Sequence, residues 1–309
     1  MNNAWKKIEE AGAITLLTHF RPDGDGVAAC AALHHILKNK NKSVEIIYPN
    51  KSDCEYALQP KDVLINTHTR VPDLLIICDT ANIERAYFPK EFEGIDIINI
   101  DHHVSNSIKG TYNFVDGDVS SACELLYKLL NEWDKKVIDT RVAECLLFGM
   151  MFDTNVFRTQ ATNAKTLRVA AELIDVGADL FKLKTELLSN KNPQIISLWG
   201  DVLKRITISR DKKSVWVDIT QKDLKEKNLT LNSLTGFIDF LSEVSDVDVT
   251  ALFYETTDGK TKVSLRSKET DVNKLAAQFG GGGHKLAAGI LSDKPLKELM
   301  DEVTAVLGG

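Results

Sequence analysis

The hydrophobic residues of the first half of the chain follow two alternating spacings. Continuous apolar runs, which are typical of strands buried on both faces, lie at 14–18, 44–48, 74–78 and 95–100. Apolar residues recur at helical spacing at 26–37, 121–133, 141–151, 164–176 and 180–188. Ser121 and Glu124, at the start of the second of these stretches, predict a capping box. This alternation predicts a doubly wound α/β domain with a mainly parallel sheet over residues 1–188.

The pattern changes at the polar cluster 189–193, and we predict a linker over residues 189–200. Further elements are predicted as a helix at 194–203, a strand at 214–219, a helical stretch at 231–241, hairpin arms at 248–254 and 262–266, and helices at 272–279 and the end of the chain. These elements predict a smaller α/β domain over residues 201–309.

Composition and charge argue against some classes of binding partner. With 309 residues, 43% hydrophobic and 27% charged, the chain has the make-up of an ordinary soluble globular protein. Its longest apolar runs are far shorter than the ~20 residues that span a bilayer, so we expect no membrane partner and a cytoplasmic location. A net charge of −6 argues against binding of long duplex DNA. A short anionic ligand beside bound cations is still allowed. The five cysteines are expected to be reduced thiols.

Acidic and imidazole side chains follow the predicted strands and one helix of the first domain. They are His19, Asp23, Asp25, Asp79, Asp101, His102, His103 and Asp153. Since the carboxyl ends of parallel strands meet at one edge of a sheet, these side chains are expected to converge there. Mixed carboxylate and imidazole ligands suit Mn²⁺ and related ions. A carboxylate shared by two such ions is the arrangement used in phosphoester hydrolysis.

The second domain offers a glycine run and an arginine. The run at 280–284 is interpreted either as a flexible loop or as a backbone nest whose free N–H groups accept a phosphate. Arg266 suits a terminal phosphate or is an ordinary surface residue. The segment 258–261 contains Gly-Lys-Thr, but Tyr254 stands where a P-loop requires its first glycine.

Taken in order, the acidic and histidine motifs of the first domain resemble the four motifs of the DHH phosphoesterase superfamily. The segments 264–268 and 280–289 are similar to the DHH-associated C-terminal domain. The length and this pairing most resemble the group of stand-alone nanoRNases and pAp phosphatases. The chain departs from the family at Ala28 and Ala29, where the family has Gly-Ser. This departure predicts altered polarity near the metals and no loss of metal.

The resemblance implies a role for each matching residue. His19 and Asp23 would bind one Mn²⁺, Asp25, His102 and Asp153 a second, and Asp79 would bridge them, with Mg²⁺ or Co²⁺ as substitutes. His103 would contact the scissile phosphate and protonate the leaving oxygen, Asp101 would orient a histidine, and Arg158 would contact the phosphate. The far end of the nucleotide would be held by Ser264, Arg266, Gly280, Gly281, Gly282, Gly283 and His284.

The implied reaction is two-metal hydrolysis of short RNA oligonucleotides to mononucleotides and removal of the 3′-phosphate of pAp, in a cleft between the two domains. Linear dinucleotides are further expected substrates, and a homodimer is left open. Three alternatives stay open as well. They are a phosphodiesterase of cyclic di-AMP or pApA, a pyrophosphatase or short-chain polyphosphatase, and a nucleotide-binding sensor without catalysis.

Overall fold

The computed structural model describes residues 3–52, 57–188 and 192–308. The chain divides into two compact units, with the division between Asn190 and Lys191. Cys54 and residues 189–191 of the expected linker lie outside the described residues. Residues 193–200 of that linker belong to a helix. None of the helices in the described ranges combines the length and the apolarity needed to cross a bilayer.

The first unit contains a six-stranded parallel sheet in the order β3-β2-β1-β4-β5-β6. Its strands are β1 (Ala13–Leu17), β2 (Ser43–Tyr48), β3 (Leu64–Ile65), β4 (Leu74–Cys78), β5 (Ile97–Asp101) and β6 (Tyr112–Val115). Its helices are α1 (Asn3–Glu10), α2 (Gly24–Asn39), α3 (Ala122–Asp134), α4 (Thr140–Asp153), α5 (Ala164–Val176) and α6 (Leu180–Leu188). The predicted doubly wound α/β domain is therefore confirmed.

The central strands are apolar on both faces because each face packs against a separate layer. Leu16 and Ile76 belong to the large core that contains α2, α3 and α4. Their neighbours Leu17 and Ile77 belong to the core on the opposite face, around Phe92. Every residue of β4 is buried. This two-sided burial is the reason that the runs are continuous and do not alternate with polar residues.

The order of the strands reverses between β1 and β4. β1 pairs in parallel with both β2 and β4. The chain adds β2 and β3 on one side of β1 and then adds β4, β5 and β6 on the other side. Loops diverge at such a point and leave a crevice at the carboxyl ends of the strands. His19 follows β1 and Asp79 follows β4, so the topology places both residues at this crevice.

The second unit contains a mixed six-stranded sheet in the order β11-β12-β10-β9-β8-β7. Its strands are β7 (Thr207–Ile208), β8 (Ser214–Ile219), β9 (Val249–Glu255), β10 (Thr261–Ser267), β11 (Gly282–His284) and β12 (Ala287–Ser292). Its helices are α7 (Pro193–Leu203), α8 (Gln221–Glu226), α9 (Phe237–Leu241), α10 (Val272–Ala277) and α11 (Leu296–Val306). The predicted hairpin is confirmed as the antiparallel pair β9–β10.

Two local predictions are only partly correct. The helical stretch predicted at 231–241 is interrupted, because Gly236 has a left-handed φ of 79° and separates a short 3₁₀ turn from α9. Ser121 caps α3 by accepting from the N–H of Glu124, as predicted. The Glu124 carboxylate, however, accepts from the N–H and hydroxyl of Ser120, so the expected reciprocal bond to Ser121 is absent.

Asp248 holds the end of β10, beside Arg266, through several hydrogen bonds. Its carboxylate accepts from the hydroxyls of Ser267 and Thr270 and from the backbone N–H groups of Lys268 and Glu269. Burial raises the pKa of Asp248, but these hydrogen bonds outweigh it and lower the pKa to about 2.

We expect Asp248→Ala to lower the free energy of unfolding by about 1–2 kcal/mol at pH 7. Because the folded pKa lies below the unfolded value of ~3.9, this stabilisation is complete above pH ~4 and is lost as the pH falls towards 2. Urea denaturation from pH 7 to pH 3 measures the effect. Asp293→Ala, at an exposed aspartate, is the control. Equal stability of Asp248→Ala and wild type at pH 7 would contradict the prediction.

Candidate metal centre

The predicted ligands of the first unit lie at the carboxyl edge of the parallel sheet, in or beside the ends of strands and helices. His19 lies just beyond β1, Asp23 and Asp25 lie at the start of α2, and Asp79 directly follows β4. Asp101 is the last residue of β5 and precedes His102 and His103, whereas Asp153 is the last residue of α4. The sheet therefore brings together residues that are far apart in the chain.

One group of possible metal ligands comprises His19, Asp23 and Asp79, whose ligand atoms lie within 4.8 Å of one another. His19 Nε2 lies 3.6 Å from Asp23 Oδ2 and 3.5 Å from Asp79 Oδ2. The other ring nitrogen, Nδ1, lies 2.8 Å from the carbonyl oxygen of Phe20 and donates to it. This bond fixes the ring so that Nε2 faces the two carboxylates.

A second group comprises Asp25, His102 and Asp153, also within 4.8 Å. His102 Nε2 lies 3.2 Å from Asp153 Oδ2 and 3.6 Å from Asp79 Oδ1. Asp79 therefore directs Oδ2 towards the first group and Oδ1 towards the second. One carboxylate in this position can therefore serve both groups of possible metal ligands.

His103 and Asp101 form a pair beside the second group. Asp101 is fully buried, and its carboxylate accepts from His103 Nδ1 at 2.7 Å and from the N–H of His102 at 2.9 Å. Asn106 Nδ2 donates to the other oxygen at 2.6 Å. Asn106 was not predicted, because a single asparagine in a loop has no distinguishing spacing. The bond to Asp101 leaves Nε2 of His103 as the nitrogen that can act on a substrate.

The histidines are strongly basic. Burial lowers the pKa of His19, but hydrogen bonds to Asp23 and Asp79 outweigh it and raise the pKa to about 10. The pKa of His102 is likewise raised to about 11 against burial, by Asp153 and Asp79. Without a metal, these imidazoles are protonated at neutral pH and offset the carboxylates. A cation bound through the same nitrogens would displace these protons.

The carboxyl groups of the site have pKa values shifted in different directions. Burial raises the pKa of Asp153 to about 6 and, together with the charges of Asp153 and Asp79, raises the pKa of Asp25. Burial also opposes ionisation of Asp79, but hydrogen bonds from His102 and His19 lower its pKa. A set of buried carboxylates with this excess of negative charge, joined by imidazole nitrogens, fits hard or borderline divalent cations. The residues present therefore fit a metal centre.

The backbone and its glycines support this arrangement closely. Asp79 has a left-handed φ of 52°, a strained conformation of the kind found at functional sites. The buried Asp25 accepts hydrogen bonds from the N–H groups of Ala122 and Cys123 at the N-terminus of α3. A Cβ added to Gly149 of α4 would lie 2.5 Å from Asp25 Oδ1 and 2.3 Å from the sulfur of Cys123. Only glycine lets α4 approach this carboxylate.

Arg158 lies beyond Asp153 and is exposed. Three of the four intervening residues, Asn155, Val156 and Phe157, have left-handed φ values, between 48° and 62°. The N–H of Arg158 donates to the carbonyl of Thr154 at 2.7 Å, which closes this unusual turn. The contact of Arg158 with a phosphate stays a prediction.

The predicted substrate-binding residues of the second unit lie on β10 and β11, the two strands that flank β12, and on the turn before β11. Ser264 and Arg266 lie on β10, and Arg266 Nε donates to Asp239 Oδ1 of α9 at 3.0 Å. Asp239 was not predicted, because its contact joins residues far apart in the chain. Gly282, Gly283 and His284 form the edge strand β11, preceded by Gly280 and Gly281.

The prediction that the glycine run offers free N–H groups is wrong for most of it. Gly280 and Gly281 donate to the carbonyls of Ala277 and Ala276, and Gly283 donates to the Asn273 side chain at 2.8 Å. The glycines satisfy a different requirement, which is close approach between strands. A Cβ added to Gly281 would lie 2.2 Å from the carbonyl oxygen of Gly289.

Comparison with known proteins decides the family. The model described as "DHH family, N-terminal domain" matches residues 13–150, and that of the "DHHA1 domain" matches residues 213–308. A Streptococcus mutans protein named probable bifunctional oligoribonuclease and PAP phosphatase NrnA is 30% identical, over 92% of this chain and 90% of the relative. The chain belongs to the DHH family.

Other members of the DHH family are similar over most of the chain. The Bacillus subtilis protein named bifunctional oligoribonuclease and PAP phosphatase NrnA is 29% identical, over 89% of this chain and 88% of the relative. A crystal structure described as an exopolyphosphatase-related protein from Bacteroides fragilis has a TM-score of 0.90 at 24% identity, over 98% of this chain and 93% of that one. Exonuclease RecJ bound to manganese has a TM-score of 0.57 at 17% identity, over 99% and 92%. The two structures show that the fold is shared.

We expect Asp79→Asn to weaken Mn²⁺ binding by about a hundredfold or more, because the shared carboxylate loses its charge. Asparagine tolerates the left-handed conformation of Asp79, so the change isolates the charge from the backbone. Isothermal titration calorimetry measures the affinity. Asp201→Asn, at an aspartate on α7 that pairs only with lysines among its described ion pairs, is the control. Unchanged Mn²⁺ affinity in Asp79→Asn would contradict the prediction.

We expect Gly149→Ala to lower the free energy of unfolding by about 1–3 kcal/mol, because its methyl group would overlap Asp25 and Cys123. In an open helix, the same change stabilises by up to about 1 kcal/mol. Gly200→Ala on α7, where a Cβ meets no atom within 4 Å, is the matched control. Urea denaturation should give opposite signs for the two variants, and a stabilised Gly149→Ala would exclude this packing constraint.

Proposed function

We propose that this DHH-family protein is a metal-dependent hydrolase of phosphoester bonds, which cleaves short RNA oligonucleotides to mononucleotides and removes the 3′-phosphate of pAp. The observation that carries the proposal is Asp79, whose two oxygens face two separate groups of histidine and aspartate. The names of the relatives from S. mutans and B. subtilis support the choice of substrates.

We further propose that the site holds two Mn²⁺ ions. His19 and Asp23 would hold one, Asp25, His102 and Asp153 the other, and Asp79 would contribute to both. When bound, such ions lower the pKa of water and neutralise negative charge on phosphoryl oxygens. The mixed carboxylate and imidazole donor set supports Mn²⁺, with Mg²⁺ or Co²⁺ as substitutes.

His103 is assigned the transfer of a proton to the leaving oxygen. The hydrogen bond to Asp101 raises the pKa of His103, although burial opposes the shift. With Nδ1 held by Asp101, the imidazolium carries a second proton at Nε2, which is the nitrogen available to the substrate. Asp101 thus acts by orienting His103, and Arg158 is assigned to the charge of the phosphate.

We assign the metal chemistry to residues 1–188 and nucleotide binding to residues 201–309. In the second domain, Ser264, Arg266 and His284 would contact the nucleotide. Gly280, Gly281, Gly282 and Gly283, which carry no side chain, would let the nucleotide approach closely. Asp239 accepts from Nε of Arg266, and the Leu265 carbonyl accepts from Nη1, so both bonds restrain the guanidinium. We assign the remaining terminal nitrogen, Nη2, to the phosphate. The proposal also includes a cytoplasmic location and a homodimer.

A hydrolysis panel tests the proposed function. Purified protein is assayed with Mn²⁺ on pAp, pApA, cyclic di-AMP, pyrophosphate and RNA oligonucleotides of increasing length. We expect turnover of pAp and of the shortest RNAs, with rates that fall as length increases. Loss of at least about a hundredfold in kcat is expected in Asp79→Asn, and Asp201→Asn should retain the wild-type rate.

Other results of the panel would change the assignment in defined ways. A strong preference for cyclic di-AMP or pApA would keep the metal chemistry and replace the substrate. Preference for pyrophosphate would contradict a nucleotide substrate. Nucleotide binding without turnover in Mn²⁺ would favour a sensor over an enzyme.

A further inference from the structure

Phe20 is an exposed aromatic residue directly beside the candidate metal centre. It follows His19 in the chain, and 51% of its surface is accessible to solvent. Single exposed apolar residues are common on protein surfaces. Phe20 differs because its backbone is hydrogen-bonded on both sides and its ring has a cationic neighbour, next to a group of candidate metal ligands.

The backbone of Phe20 is bound on both sides. Its N–H donates to the carbonyl of Arg85, in the loop that follows Asp79, at 2.6 Å. Its carbonyl accepts from Nδ1 of His19 at 2.8 Å. The bond that orients the His19 ring therefore also fixes the peptide unit of Phe20.

The next residue restrains the loop further. Arg21 has a left-handed φ of 56°, and its N–H donates to the side chain of Asn50, beyond β2, at 2.6 Å. Its guanidinium carbon lies 5.8 Å from the centre of the Phe20 ring, within the range of a cation–π contact. One side of the ring thus has a cationic neighbour, while half of the residue's surface stays open to solvent.

We infer that Phe20, backed by Arg21, is a stacking platform for the nucleobase of the nucleotide whose phosphate binds at the candidate metal centre. This inference rests on the proposed function and adds to it a means of recognising the base. Stacking on an aromatic ring accepts every base, because each has a π face. A substrate that lacks a base, such as pyrophosphate, gains nothing from this contact.

The test compares substrates with and without a base. KM and kcat are measured in Mn²⁺ for pAp and for ribose 3,5-bisphosphate, with wild type and the variants Phe20→Ala, Phe20→Leu and Phe20→Trp. We expect Phe20→Ala and Phe20→Leu to raise KM for pAp about tenfold, with kcat and the KM of the abasic compound close to wild type. Phe20→Trp should retain the low KM for pAp.

Two controls separate stacking from damage to the site. Mn²⁺ affinity, measured by calorimetry, should be equal in Phe20→Ala and wild type, because His19 contacts only the backbone carbonyl of residue 20 in this bond. Phe181→Ala removes another exposed phenylalanine, on α6 with 75% of its surface accessible. It should leave both KM values unchanged.

The outcomes distinguish this inference from the proposed function. If wild type hydrolyses pAp but Phe20→Ala has unchanged KM values, or the KM of both compounds rises equally, the platform is excluded and the proposed function stands. If wild type hydrolyses neither compound, the proposed function fails. Equilibrium binding then still tests the platform. Tighter binding of AMP than of ribose 5-phosphate that is lost in Phe20→Ala would support it, and equal affinities in wild type would overturn it.

Discussion

Asp79 is a buried carboxylate with one oxygen near His19 and the other near His102. The surrounding residues of the first unit stabilise the negative charge of this carboxylate. Isolated burial of a carboxylate is costly, and neighbouring aspartates increase the cost. Protonated imidazoles supply the opposing charge in the metal-free protein, and the N-terminus of α3 supplies N–H donors to Asp25. Cations bound to the same atoms would satisfy this requirement more directly.

Small residues make it possible for helices to reach these carboxylates. A Cβ on Gly26 would lie 2.3 Å from the hydroxyl oxygen of Thr18 and 3.2 Å from Asp79 Oδ2, so α2 approaches the end of β1 without a side chain between them. Ala28 and Ala29 are fully buried in the apolar core. Their small side chains keep α2 close to its neighbours. The positions of the candidate metal ligands therefore depend on the packing of these helices as well as on the hydrogen bonds of the ligands.

In the second unit, Arg266 is fixed by hydrogen bonds and by close packing in a similar way. Arg266 lies on a strand whose end is tied down by the hydrogen bonds of Asp248, and its guanidinium is bound by Asp239. Glycines in and beside the edge strand β11 allow backbones to approach each other, as Gly281 does with Gly289. In the proposed contact with a phosphate, an arginine held in one orientation would lose less conformational freedom than a free surface arginine. An overall net charge of −6 is compatible with such a local anion site.

The order of apolar runs by itself determined the parallel sheet and most helices, and the residues that end those runs indicated the candidate metal ligands. Asp79 and Asp101 could be predicted because strand ends of a parallel sheet meet at one edge. The tertiary structure alone decided that Gly282–His284 form an edge strand, that Glu124 binds Ser120, and that Asn106 and Asp239 hold Asp101 and Arg266. The hydrophobic pattern also did not predict the short elements α1 and β6. Periodicity reports which face of an element is buried, whereas a hydrogen bond between distant residues, or a strand of three residues, has no period to detect.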